Sequence, residues 1–303
     1  MDTSSGLLLD VKRFAVHDGP GIRTTLFLKG CPLKCLWCHN PESISRVPEL
    51  AFYAYKCVRC GECVTACPRK AHRMRHGEHE FLPEKCNACG ACEARCLGGA
   101  LRLFGKRISV GEAVGMLLED RLFYQESGGG VTLSGGEPLL QSAFCREVFE
   151  EVKKEGIHTA VDTCGFVRWE AFERVLPVTD LFLFDVKHAD SAGHRKLTGQ
   201  GNELILENLR RLSERKARIE IRMPLVPGCN DSPENIRRTG ELLGSLSVEK
   251  VRLLRYNPLA RSKYAALGMP DTLPAVEAVP EDRLQEIIRT LRKYGVNAVS
   301  GGD

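Results

Sequence analysis

From about residue 108 onward, short apolar runs alternate with amphipathic stretches, and this alternation narrows the possible folds more than any other feature of the chain. "VTLSGGEP" (131–138) reads as a strand entering a glycine turn, and "LLQSAFCREVFEEVKKEG" as the helix that follows, with Gly156 where a left-handed cap is wanted. The pairing recurs in "IHTAVDT" then "RWEAFERVL", and in "DLFLFDVK" then "NELILENLRRLSERK". "RIEIRMPLV" leads to a helix that Ser232 caps and Pro233 begins, and "SVGE" (109–112) has the pattern of a capping box. "KVRLLRY", "PEDRLQEIIRTLRKYG" and "VNAV" finish the series. Strands separated by single helices imply a parallel sheet with right-handed crossovers. With "IRTTLFLK" (22–29) at the front there are about six βα units, too few for a closed eightfold barrel. The expected fold class is α/β, as a partial barrel or an open twisted sheet.

Residues 50–105 break the rhythm and are dense in cysteine. The chain has 14 cysteines, and 11 of them fall in the first third. "CVRCGECVTACPRKA" and "CNACGACEARCLGGA" are two copies of one small unit, C-x2-C-x2-C-x3-C. That spacing matches the bacterial ferredoxin run for a pair of [4Fe–4S] clusters, in which the fourth cysteine serves the other cluster. Cys57, Cys60, Cys63 and Cys96 would hold one cluster, and Cys86, Cys89, Cys92 and Cys67 the other. Zinc is the competing reading, although zinc modules favour paired CxxC units with a longer spacer. The insert has too little apolar content for a core of its own, so bound metal must order it. Cys145, Cys164 and Cys229 stand alone and read as small buried hydrophobes.

"GCPLKCLWCHNPE" (30–42) places Cys31, Cys35 and Cys38 in a CxxxCxxC array. Three thiolates can hold three corners of a cubane and leave the fourth iron open, which is an arrangement for chemistry rather than for electron transfer. "DGPGIRTTLFLKGCPLKCLWCHNPE" (18–42) resembles the radical S-adenosylmethionine (SAM) family and, within it, the activating enzymes of glycyl radical enzymes. The resemblance extends over essentially the whole chain. It implies a partial (β/α)6 barrel formed by residues 1–49 and 106–303, with residues 50–105 as an inserted ferredoxin-like domain. It also implies three [4Fe–4S] clusters, with SAM chelating the open iron of the cluster on Cys31, Cys35 and Cys38.

The remainder of the site follows the same pattern. In "SGGEP" (134–138), Gly135 and Gly136 let backbone approach a ligand closely, and Glu137 offers an anion to an ammonium group. "VDTCG" and "FDVKHAD" put Asp162, Asp185 and Lys187 at strand C-termini, where α/β folds gather ligand groups. By resemblance, SAM meets Trp37, His39, Gly135, Gly136, Glu137, Asp162, Asp185, Val186, Lys187 and Asn257, with Lys187 toward its carboxylate. Asn257 in "LLRYNPL" stands where some relatives have histidine. The resemblance also implies a monovalent cation on Asp162, Thr163, Asp185 and the Leu183 carbonyl, and contacts from Asp18 and Arg222 to the partner's peptide.

The implied function is reductive cleavage of SAM, followed by hydrogen abstraction from a glycine of a glycyl radical enzyme. The electron would come from reduced flavodoxin or ferredoxin through the insert. Two alternatives share some of these features: a radical SAM enzyme acting on a small molecule, and an iron–sulfur electron-transfer subunit. The net charge of +4 carries no long basic run, so nucleic acid is not an expected partner. The apolar runs are strand-sized and the N-terminus lacks the order of a signal peptide, so the expectation is a cytoplasmic monomer with no membrane association.

Overall fold

The computed structural model describes residues 5–301. Nine strands make one sheet: β1 (Ser5–Ala15), β2 (Arg23–Leu28), β3 (Lys106–Ser109), β4 (Gly130–Gly135), β5 (His158–Thr163), β6 (Leu181–Asp185), β7 (Ile219–Leu225), β8 (Lys250–Arg255) and β9 (Ala298–Gly301). They lie in the order β3-β1-β2-β4-β5-β6-β7-β8-β9. From β2 to β9 every neighbouring pair is parallel. The main crossover helices are α1 (Val110–Leu118), α2 (Ser142–Lys154), α3 (Trp169–Val175), α4 (Ser191–Thr198), α5 (Glu203–Glu214), α6 (Pro233–Gly244) and α7 (Glu281–Arg292). Each new strand adds on the same side of the last, so right-handed crossovers put the helices on one face. The edges β3 and β9 are not bonded to each other, and the sheet stays open as the count of βα units requires.

Two strands lie outside the alternation. β1 pairs antiparallel with both β2 and β3. Its pairing with β2 is local, across residues 16–22, whereas its pairing with β3 joins segments some ninety residues apart on either side of the insert, and nothing local in the sequence announces that second pairing. The expected helix signals are in place. Ser109 and Glu112 form the capping box of α1. Ser232 accepts the Asn235 N–H at the start of α6, and Gly156 takes φ +69° just beyond α2.

Side chains alternate across the sheet with period two. Val131, Leu133, Phe182, Phe184, Ile221 and Leu253 belong to the main core with Phe144, Val148, Phe149 and Leu209 from the helices. On the opposite face Ala160, Leu181 and Leu183 form a small apolar cluster, and around it polar side chains are bonded to each other. Arg23 Nε donates to Thr132 Oγ1 (2.7 Å), Ser134 Oγ to Asp162 (2.7 Å), and Arg252 to Glu220 (2.8 Å). Outside that cluster, the helix-free face has the chemistry of a binding surface and not that of a core.

Residues 53–100 lie outside the large sheet. A short antiparallel ladder, Glu49–Phe52 against Leu101–Phe104, brackets them, and a hairpin pairs His72–Arg75 with Glu78–Phe81. Leu50, Leu101 and Cys92 are buried together there, with Phe52, Phe81, Leu103, Cys63, Cys86 and Cys96 packed on them. Much of that small core is sulfur.

Candidate active site

The cysteine loop leaves the end of β2 and is tied down along its length. The Gly30 and Cys31 N–H groups donate to the Ser43 and Ile44 carbonyls (2.7 and 3.0 Å), which folds "CHNPE" back onto the start of the loop. Lys34 and Leu36 donate to the Thr198 and Leu197 carbonyls at the end of α4 (2.8 and 2.9 Å). From the helix Arg261–Ala266, Tyr264 Oη donates to the Cys38 carbonyl (3.1 Å). Lys263 Nζ gathers the His39 carbonyl, Asn40 Oδ1 and Glu42 Oε1 (3.1, 3.0 and 2.6 Å). Lys29, whose side chain is fully buried, holds the Glu42 carbonyl and Glu49 from below (both 2.7 Å). Lys29, Lys263 and Tyr264 escaped the sequence reading because they act on the loop from outside its motif.

The loop faces a cleft at the C-terminal ends of the parallel strands, with about 920 Å³ of empty space open to solvent. Of the expected site residues, Asp18, Cys31, Cys35, Trp37, Cys38, His39, Gly135, Gly136, Asp162, Asp185, Lys187 and Arg222 line it together. Burial pushes the Cys35 and Cys38 thiols up to about 12, whereas a hydrogen bond from Cys164 lowers Cys31. Lys187 is ion-paired with Asp185. Burial acts to lower its pKa, but Asp185 and the nearby sulfurs outweigh that effect and raise it. Burial lifts Asp162 to about 6, even though Arg222 Nη1 lies 3.1 Å from it. Arg222 also reaches Asp18 at 3.5 Å. This is the strand-end ion pair that any such arginine could make, and here it joins two of the expected ligand groups through a third.

Sequence similarity agrees with this geometry. The radical SAM superfamily profile matches residues 25–240. The trans-4-hydroxy-L-proline dehydratase activating enzyme of Clostridioides difficile is 41% identical over 301 residues, which cover 98% of this chain and 99% of that one. The (2S)-3-sulfopropanediol dehydratase activating enzyme of Klebsiella oxytoca is 39% identical, with 98% and 97% covered. The chain belongs to the radical SAM superfamily, among the activating enzymes of glycyl radical enzymes. A domain of pyruvate-formate lyase-activating enzyme from Bacteroides vulgatus superposes with a TM-score of 0.50 at 35% identity, covering 57% of this chain and 99% of that one. Membership implies a [4Fe–4S] cluster and SAM. The donors fit: three cysteines of one loop face the cleft, with backbone and charged groups at strand ends opposite.

Several residues of this activating enzyme sit differently from the sequence expectation. Glu137 is fully buried and does not line the cleft. Its carboxylate accepts from Thr163 Oγ1 (2.8 Å), the Cys164 N–H (2.8 Å) and the Leu139 N–H (3.0 Å), so it braces the turn instead of facing a ligand's ammonium. Thr163, expected at a cation, donates its hydroxyl proton to Glu137 and accepts the Gly165 N–H at its oxygen (3.0 Å). Gly135 and Gly136 line the cleft, but their first constraint is the protein itself. A Cβ on Gly135, whose φ is +125°, would lie 2.1 Å from the Leu28 carbonyl oxygen, and one on Gly136 would lie 2.3 Å from that of Gly30. Val186 and Leu183 are buried, and the Val186 N–H donates to the Arg222 carbonyl (3.0 Å). Asn257 is exposed, does not line the cleft, and accepts the Leu259 N–H (3.0 Å). Cys164, read as a small buried hydrophobe, is buried as expected but also lines the cleft with Cys31. Its isolation in the sequence hid that proximity.

In the insert, Cys57, Cys60, Cys63 and Cys96 line a single cavity. Burial, together with the nearby Cys86 and Cys67, pushes the Cys92 thiol up to about 11. Among the described residues, no helix is long and apolar enough to cross a membrane.

Proposed function

We propose that this chain reductively cleaves SAM and uses the resulting 5′-deoxyadenosyl radical to take a hydrogen atom from a glycine Cα of a partner glycyl radical enzyme. The observation that carries the reading is the single cleft where Cys31, Cys35 and Cys38 face Asp162, Asp185, Lys187 and Arg222. A [4Fe–4S] cluster on the three cysteines supplies, when bound, the electron for that cleavage. The protein's own groups bind and orient. Lys187 and Arg222 are cations for the SAM carboxylate and for acidic or carbonyl groups of the partner. Asp18, Asp162 and Asp185 hold those two cations in place. The Gly135–Gly136 backbone gives close approach, and Trp37 walls the cleft against water. One electron and one SAM give methionine and 5′-deoxyadenosine, and the partner is left with a glycyl radical.

The grouping of Cys57, Cys60, Cys63 and Cys96, and the closeness of Cys67 to Cys86 and Cys92, support a two-cluster ferredoxin-like insert that conducts electrons from reduced flavodoxin or ferredoxin. Reconstituted protein should then hold roughly twelve iron, and alanine at Cys31, Cys35 and Cys38 should leave about two-thirds of it while abolishing SAM cleavage. Relatives named for two different dehydratases stand at 41% and 39% identity, so similarity supports the activating reaction without selecting a partner. The test is to mix reduced protein and SAM with candidate glycyl radical enzymes. A carbon-centred doublet in electron paramagnetic resonance is expected, which should collapse when the partner's glycine is deuterated at Cα, with deuterium passing to 5′-deoxyadenosine. Brisk deoxyadenosine formation with a metabolite and no such doublet would favour a small-molecule substrate instead.

A further inference from the structure

His72 and His79 face each other across the insert hairpin. Their Nδ1 and Nε2 atoms lie 3.0 Å apart, and their rings stack with centroids 5.1 Å apart. Phe81 stacks on His72, and Phe52 meets His79 edge-on. Two nitrogens remain, His72 Nε2 and His79 Nδ1, and both are buried without a partner. Two orphaned ring nitrogens in one small module are costly unless something absent from the polypeptide satisfies them. His79, but not His72, lines the cavity that Cys57, Cys60, Cys63 and Cys96 also line. Cys63 Sγ and one nitrogen from each ring lie within 4.8 Å of one another.

The chemistry of that cavity selects the tautomers. Thiolates and sulfides accept hydrogen bonds and cannot donate them. A lone pair on His79 Nδ1 would face sulfur anions, whereas an N–H there would find an acceptor. The contact between the rings contains one proton. If it sits on His72 Nδ1 and points to His79 Nε2, His79 Nδ1 carries the other ring proton. We propose that His79 donates this Nδ1–H to a sulfur of the cluster that Cys57, Cys60, Cys63 and Cys96 would hold, with His72 as the positioning residue that sets the tautomer. A donor to cluster sulfur stabilises the more negative, reduced state, so the pair raises the potential of this cluster relative to that on Cys86, Cys89, Cys92 and Cys67. The two halves of the repeat thereby become unequal, because the histidines sit against one of the two cysteine sets. The inference rests on the two-cluster reading of the insert.

The experiment is a potentiometric titration of the anaerobically reconstituted protein, followed by electron paramagnetic resonance, with iron counted in each sample. An insert holding about eight iron tests the two-cluster reading, and the potential tests the histidine. His79→Leu with full iron should lower one midpoint so that its reduced fraction falls about tenfold at fixed potential, roughly 59 mV for one electron, and leave the other in place. His79→Asn, which keeps a donor, should recover part of the shift, and His72→Leu should give a partial one. Electron–nuclear double resonance should show a proton coupling that exchanges in deuterium oxide and is missing in His79→Leu. An unchanged midpoint at full iron overturns the proposal. So does about one zinc per chain held by Cys63, His72 and His79 in place of iron. If His79→Leu loses iron, the His79→Asn and His72→Leu midpoints decide by the same criterion.

Discussion

Arg222 stands between Asp18 and Asp162 on the polar face of the sheet, with only 16% of its side chain exposed. Burial acts to lower its pKa, but Asp162, Asp185 and Asp18 together raise it, so it is a fixed cation at the floor of the cleft. Removing it would leave carboxylates buried without a counter-charge, which costs about 3–5 kcal/mol for a buried pair. Arg222→Ala should therefore lower the denaturation midpoint of the apoprotein as well as weaken partner binding. Arg222→Lys should recover much of the stability while binding the partner less well, because an ammonium cannot span two carboxylates as a guanidinium does. Unchanged stability in Arg222→Ala would show that the ion pairs are not what positions Asp18 and Asp162.

At the scale of elements, the cysteine loop owes its shape to neighbours far away in sequence. The helix Arg261–Ala266 reaches across more than two hundred residues, and Lys263 alone holds three acceptors on "HNPE". Glu42 Oε2 has no partner, so Lys263 is the side-chain cation that balances this nearly buried carboxylate. Lys263→Ala should cost about 1–3 kcal/mol through unsatisfied polar groups. It should also selectively lower iron at Cys31, Cys35 and Cys38. The measurement is iron per chain together with SAM binding: up to about one-third of the iron should go, with the insert's share retained. Loss spread evenly over all the iron would point to general unfolding. The capping box at Ser109 and the Ser232 cap were legible because a cap is a local device, set within four residues. The Lys263 staple was not, because nothing near Lys263 in the chain refers to residue 42.

For the whole molecule, burial depresses the pKa of His158, His188 and His194 below the ordinary histidine value. The unfolded chain takes up these protons near pH ~6.5, and the folded protein only at lower pH. Between those points the unfolded state binds more protons. The stability is thus fully present above pH ~6.5 and is lost as pH falls through the folded values. Asp162, raised to about 6, acts in the opposite direction over the same window, so the histidine share is read from a variant: compared with the native apoprotein, His194→Gln should lose less, or gain more, urea midpoint between pH ~7 and ~5. An unchanged or steeper fall in His194→Gln over the same interval would contradict the burial of that ring.

The sequence by itself determined the α/β class, the βα alternation, the helix caps and the family, because periodicity, capping and motif spacing are local and repeat within a few residues. Tertiary structure alone decided that β3 joins the sheet beside β1, since a long insert separates the two strands. It turned Glu137 inward, because donors at Leu139, Thr163 and Cys164 converge on it only after β4 and β5 have paired. It brought Cys164 to Cys31 and His79 to the Cys63 cavity, and it moved Asn257 out of the cleft. Each of these depends on which way a side chain points once distant segments are packed. Spacing along a chain carries no information about that direction.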